Sequence, residues 1–497
     1  MRRPAFFIVG VLACADAHAA TLMVTTAADD GAGSLRQAII DSNNTTGPNT
    51  IQFAIPASGP QTITLASQLP NITHSVTIDG FSQSGSMMNT NAPDAGGLNG
   101  TLQIEITYSG SCCIYGFVLG AKDGVTLTVQ GLAMNNLGAA AIDGTVQAGT
   151  SQINVYGNYL GTTIDGTAAK GTNGYGVATG GTPAQIGGRL PWQRNLVAGT
   201  NEGLQIASAA IVEGNLIGTD VSGTMAIGNT NFGVVMDFET IAARIGGNLP
   251  AARNVISANG RIGVLVENHY TGAGPIAWQI FGNYIGTDWS GTLHLPNGNK
   301  GTVPFGGVIV SSNSATTFVP PIGGFGPGEA NLIVFNAGPG ILTDGNYLAA
   351  SFDNRGNAIH HNYGEVRRDI DIGSTGRTPN DADDADTGTN NVQNWPQIVS
   401  ASLSGNELAV TYLVDSTTAN SAYPLRVDFY ADRRGGSGDW LGQDIYTADL
   451  AQTQRTVILT LPPGAKGIPF VATATSATGY GSELSPAWDV IFEDDFE

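Results

Sequence analysis

The sequence predicts an all-β fold: a parallel β-helix with an N-terminal capping helix, followed by a small antiparallel β-sandwich. Three observations predict it. First, one phrase occurs three times, at Gly157-Asn158-Tyr159-Leu160-Gly161-Thr162, Gly214-Asn215-Leu216-Ile217-Gly218-Thr219 and Gly282-Asn283-Tyr284-Ile285-Gly286-Thr287. A second phrase interleaves with it, at Ile186-Gly187-Gly188, Ile245-Gly246-Gly247 and Ile322-Gly323-Gly324, each followed nine residues after the isoleucine by Asn195, Asn254 or Asn331. The first phrase recurs after 57 and then 68 residues, so a fixed register is joined by loops of variable length, as in stacked structural units. Second, short runs such as Val125-Thr126-Leu127-Thr128-Val129 alternate apolar and polar residues, so each buries one face. Third, glycine, at 69 of 497 residues, is about twice its usual share, and charged residues, at 12%, are about half of theirs. Tight turns and closely stacked coils need that balance.

The elements follow in order. Residues 1–19 read as an export signal: Arg2 and Arg3 precede an apolar run, and Ala17-His18-Ala19 forms a small-x-small cleavage site. Val11-Leu12-Ala13-Cys14 loosely matches a lipobox, but Leu12 fits it poorly, so simple secretion is preferred to a lipoprotein anchor. Residues 20–50 form a cap. Ser34 and Gln37 have capping-box spacing, and Leu35, Ala38, Ile39 and Ile40 give the helix one apolar stripe. Residues 51–377 supply the β-helix, on the order of thirteen coils at about 22–25 residues each. Residues 378–395 are an acidic linker, residues 396–490 alternate as an antiparallel sandwich does, and 491–497 form an acidic tail.

Charge narrows the partners. The chain carries −20 with only four lysines, and loss of Arg2, Arg3 and Asp16 with the signal takes it to −21. Nucleic-acid phosphates and anionic membranes would repel it. No later segment is long and apolar enough to be a transmembrane helix. Cys112 and Cys113 are neighbours, a poor geometry for a disulfide, and are expected to be one buried and one surface thiol.

The asparagines are expected to stack as amide ladders at inner corners, Asn158, Asn215 and Asn283 in one set and Asn195, Asn254 and Asn331 in another. Asp220 and Asp288 recur at one repeat position where the first copy has Thr163, which marks turn-capping carboxylates rather than a catalytic pair. Arg194 and Arg253 also repeat, again a structural sign. His360 and His361, followed by Glu365, Arg367, Arg368, Asp369 and Asp371, are read as a solvated closing turn. The best metal candidate is Asp381, Asp383, Asp384 and Asp386, with Asn380 and Asn390, a set of hard oxygens suited to Ca²⁺ at the domain junction. No other cofactor is indicated.

Asp29-Asp30-Gly31-Ala32-Gly33-Ser34-Leu35-Arg36-Gln37-Ala38-Ile39 resembles the CSLREA motif of secreted bacterial proteins, with Gly33 in place of its Cys and Gln37 in place of its Glu. The Gly-Asn-Tyr-Ile-Gly-Thr-Asp phrases resemble the right-handed parallel β-helix repeats that usually follow that motif. The segment from Thr378-Pro379-Asn380-Asp381 to Asn394-Trp395-Pro396 is similar to the family's junction into an Ig-like sandwich, and Ile491 to Glu497 to a short motif closing some exported Gram-negative proteins. The resemblance implies a right-handed β-helix and export, and assigns no catalytic residues. The expected function is adhesion or recognition of a polysaccharide or cell-surface ligand, with Trp192, Trp289 and Tyr270 as candidates for stacking on sugars. A polysaccharide lyase, hydrolase or epimerase working along the groove is the alternative, marked by a carboxylate cluster confined to one coil.

Overall fold

The structure is a computed structural model that describes residues 19–489 apart from 111–112, 146–148, 238–241, 269–276, 300–304, 313–318, 345–350, 363–368, 374–375, 434–435 and 464. The segment read as an export signal, up to residue 18, and the C-terminal tail lie outside the described residues.

Three parallel sheets run the length of a β-helix. The first holds eleven strands, from Thr21–Val24 to Asp353–Arg355; the third holds nine, from Tyr115–Val118 to Ile370–Gly373. The second begins at Gln61–Leu65 and stacks in parallel as far as Ala358–His360. Each coil visits first, second and third sheet in turn, as with Gln152–Tyr156, Tyr159–Leu160 and Thr172–Ala178. Inward residues of equal register lie on one another: Ile142, Val177, Leu204, Val234, Val264, Val308 and Ile341 form one unbroken buried column.

The coils are longer and fewer than the repeat predicts. In-register partners on the first sheet are separated by 26 residues (Ala184 to Ala210), 33 (Ala210 to Ala243) or 42 (Ile280 to Ile322). Eleven rungs therefore replace the expected thirteen or so. The difference lies in the loops: long and short turns alternate from coil to coil, so the two sequence phrases belong to adjacent coils.

Leu35–Asn43 is the only α-helix among the described residues. Ser34 caps it, accepting from Gln37 N at 3.1 Å, but the Gln37 side chain turns to Asp41 instead of closing the box. Leu35, Ala38 and Ile39 cover the end of the core, whereas Ile40 is exposed and does not share that stripe. Stacking already begins at Thr21–Val24, inside the segment read as a cap.

The sandwich packs Gln397–Ser404, Glu407–Leu413 and Arg455–Thr460 against Ser437–Tyr446, Leu425–Asp432 and Phe470–Thr475. The latter three strands continue the second sheet of the β-helix, joined by an antiparallel pairing of Ile359 with Ser437. Tyr430, Val471 and Leu484, from this half, complete the core of the β-helix.

Candidate functional site

The asparagines predicted as two sets form one ladder. Asn158, Asn195, Asn215, Asn254, Asn283, Asn331 and Asn357 alternate between the two phrases, and from Asn195 onward each amide nitrogen donates to the next amide oxygen at 2.9–3.0 Å. The first step, from Asn158 to Asn195, is longer, at 3.4 Å. A second ladder, not picked out from sequence, runs Asn229, Asn259, Asn297, Asn336, Asn362 and ends on Asp369. All are buried and saturated, which leaves none of them for a ligand.

The repeat loops roof the second sheet. Asp220 accepts from Ser222, Thr224 N and Met225 N, and Asp288 likewise from Ser290, Thr292 N and Leu293 N. Burial pushes the Asp288 carboxyl up, but these hydrogen bonds more than reverse it and hold it below the usual range. In the first copy Asp165 takes that part, held by Thr163 and Thr167. Ile164, Val221 and Trp289, at one repeat position, pack on Tyr159, Leu196, Leu216, Val255 and Tyr284. Arg194, 1% exposed, donates to Gly214 O, Asn91 O and Gly96 O and so pins the loop 83–103 to this roof. Arg253 stacks 4.0 Å above the Tyr284 ring. Trp289 thus covers apolar surface, Trp192 packs edge-on against Tyr156, and Tyr270 lies outside the described residues. The face most decorated by repeats is closed by them.

The third sheet differs. Five of its nine strands carry a residue followed by glycine: Tyr115-Gly116, Tyr175-Gly176, Glu202-Gly203, Phe232-Gly233 and Ile262-Gly263. A Cβ on Gly203 would stand 2.4 Å from Gly233 O of the next rung, so no side chain fits there and the strand can bend. The preceding residue is left on the outside. Register pairs Tyr115 with Ala140, Ala140 with Tyr175, Tyr175 with Glu202, and Glu202 with Phe232, so they form one column. Tyr115 is 39% exposed, and Tyr175, Glu202 and Phe232 are partly exposed. Phe232 packs on a buried outer cluster of Val235, Ile262, Leu265 and Ile309, leaving its ring partly exposed, and the Arg261 guanidinium lies 5.7 Å from that ring and 4.7 Å from that of Phe305. Across the same face, Asp237 pairs in register with Glu267. Burial, then the charges of Glu267 and Asp237, push the Glu202 carboxyl up to about 7, and burial with Glu202, Asp237 and Tyr115 raises the Tyr175 hydroxyl. None of these residues belongs to the repeated Gly-Asn phrases. The aromatic-Gly-apolar signal of Tyr115-Gly116-Phe117, Tyr175-Gly176-Val177 and Phe232-Gly233-Val234 would have found them.

At the junction, carboxylate oxygens of Asp381, Asp384 and Asp386 converge within 4.8 Å. Asp384 is buried and committed: it accepts from Gln393, Asn394 N, Ser416 and Ser421. Asp381 Oδ2 accepts from Ala385 N and Asp386 N, whereas Asp386 Oδ1 is buried with no hydrogen-bond partner. Asp383 turns away to Gln452, Asn380 binds Trp395, and Asn390 ties Phe352 to Gly481. Three of the four predicted aspartates therefore meet, and one of their oxygens, Asp386 Oδ1, has no hydrogen-bond partner. Burial, then Asp381 and Asp384, lift the Asp386 carboxyl to about 6.

His360 and His361 share a hydrogen bond between their Nδ1 atoms at 2.6 Å, and burial, then His361 and Arg433, lower His360 to about 4. Glu365, Arg367 and Arg368 lie outside the described residues. Asp369 ends the second amide ladder, and Cys113 is an exposed free thiol, with Cys112 outside the described residues. A cleft of ≈ 300 Å³ between β-helix and sandwich is lined by Asp353, Arg355 and Arg426, whose charges pair with one another and with Asp428 at 2.7–2.8 Å. Comparison with protein-family models and with curated proteins returns no match.

Proposed function

We propose that this is an exported, non-enzymatic β-helix protein that recognises a glycan or other cell-surface ligand through the outer face of its third sheet. One observation carries the reading: repeat loops roof the second sheet, while on the third Tyr115 is exposed and Tyr175, Glu202, Phe232 and Glu267 are partly exposed. Aromatic rings offer flat apolar contact to a sugar, and the neighbouring carboxyls and tyrosine hydroxyls offer hydrogen bonds to its hydroxyls. The signal-like residues 1–19 and the CSLREA-like segment support export. No helix among the described residues is long and apolar enough to cross a membrane. Ca²⁺ belongs to this proposal as a ligand of Asp381 and Asp386 that would stiffen the junction.

A second reading, a polysaccharide lyase, hydrolase or epimerase, is favoured by Glu202. A carboxyl that keeps its proton to about pH 7 beside two other carboxylates has the form of a general acid or base. The test separates the two. Mature protein is incubated with plant, algal and bacterial polysaccharides, with and without Ca²⁺, while unsaturated products, reducing ends and retention on each polymer are followed. Retention without product supports recognition. Product that disappears in Glu202→Gln establishes the enzyme, and neither product nor retention removes the enzyme and glycan recognition, leaving a protein ligand on the cell surface.

A further inference from the structure

The column Tyr115, Ala140, Tyr175, Glu202, Phe232 has a period. Aromatic rings stand on alternate rungs, with a small residue or a carboxyl between them. Adjacent rungs lie about 4.8 Å apart, so successive rings repeat at roughly 10 Å along the axis. That matches the advance of one disaccharide in an extended pyranose chain, whose alternate sugars present the same face. Ala140 is fully buried between the flanking rungs and leaves the gap between Tyr115 and Tyr175 low. Glu202 fills the next gap with a hydrogen-bonding group. Arg261, packed between Phe232 and Phe305, closes the column at its far end.

Charge selects among chains. Asp237 and Glu267 stand on this face beside Glu202, and the whole protein carries −20, so a polymer of acidic sugars would be repelled. We propose that Tyr115, Tyr175 and Phe232 form a track for an uncharged linear polysaccharide lying parallel to the β-helix axis, one ring beneath every second sugar, with Glu202 accepting hydrogen bonds from the sugar between the last two rings. This rests on the recognition reading above and goes further by fixing the polymer's class, direction and register.

The test uses full-length mature protein and dimers, tetramers and hexamers of the cello-, manno- and N-acetylchito- series, with polygalacturonate as the acidic comparison. Affinity is expected to rise from dimer to hexamer in at least one neutral series. Tyr175→Ala and Phe232→Ala should each weaken hexamer binding roughly tenfold, the loss of one stacked ring. Tyr175→Phe keeps the ring and should keep binding, and Thr77→Ala on the first sheet should change nothing. Unfolding temperatures of all variants establish that they fold. Hexamer binding unaltered in Tyr115→Ala, Tyr175→Ala and Phe232→Ala would overturn the track and leave recognition elsewhere on the molecule. Preference for polygalacturonate would overturn the neutral class, and binding of none of these saccharides would overturn the track, leaving the recognition reading to the wider polysaccharide panel and to protein ligands.

Discussion

Asn254 shows what a single residue does in this fold. Its amide nitrogen donates to Val212 O at 2.8 Å and to Asn283, and its oxygen accepts from the backbone and side-chain nitrogens of Asn215, both at 3.0 Å. One side chain thus meets its full hydrogen-bonding capacity where no water reaches. Asn254→Ala removes the partner of Val212 O, Asn215 N and Asn283 Oδ1 on the two neighbouring coils, each at a cost of about 1–3 kcal/mol, so a loss of at least ~3 kcal/mol is expected in denaturant unfolding. Loss below ~1 kcal/mol would show that water replaces the amide. These residues were legible because identical chemistry at identical corners produces identical words. Their pairing was not: adjacent rungs carry different phrases, since one turn is long where the next is short. The third-sheet column was missed for a related reason. Tyr115, Tyr175, Glu202 and Phe232 are three residue types that share only a position before a glycine, so no repeated phrase marks them.

At the scale of elements, a loop's sequence announced its internal bonding but not its destination. The Asp220 and Asp288 turns were readable as capped turns, yet their packing onto Tyr159, Leu216 and Tyr284 depends on which strand lies beneath. The linker was readable as acidic, and proved to be folded around Asp384 rather than extended. Three carboxylates within 4.8 Å repel one another, and a cation or the loss of one charge relieves that repulsion. Millimolar Ca²⁺ is therefore expected to raise the unfolding temperature. Asp386→Asn is expected to raise it without Ca²⁺ and to abolish the response. Unchanged unfolding of the wild type in Ca²⁺ removes the metal from the account.

For the whole molecule the carboxyls make stability depend on pH in two opposed ways. Glu202 and Glu483, each lifted to about 7 chiefly by burial, and Asp386, lifted to about 6, bind more protons folded than unfolded. Their contribution is most favourable below about pH 4, declines as pH rises and is lost by about 7. Asp165 and Asp288 lie below their ordinary value, Asp165 held by Thr163 and Thr167, and Asp288 by hydrogen bonds that outweigh burial. Their contribution is present above about pH 4 and lost below it. His360, lowered to about 4, adds stability as pH rises from about 4 to 6.5 and so opposes part of the decline from the raised carboxyls. Chemical unfolding between pH 3 and 8 should therefore show a maximum between about 4 and 6.5. Glu202→Gln and Glu483→Gln should each flatten the fall toward 8, and a profile that climbs steadily to 8 would contradict the assignment.

The antiparallel seam between Ile359 and Ser437 bears on how such a molecule stays single. Each rung of a parallel stack offers the next rung the same row of donors and acceptors, so a bare end is a template on which another copy could add without limit. At this end the second sheet reverses direction, and Tyr430, Val471 and Leu484 plug the core behind it. An incoming parallel strand finds the wrong hydrogen-bond pattern and no cavity to fill. The sandwich thus closes the second sheet at this end to further parallel stacking.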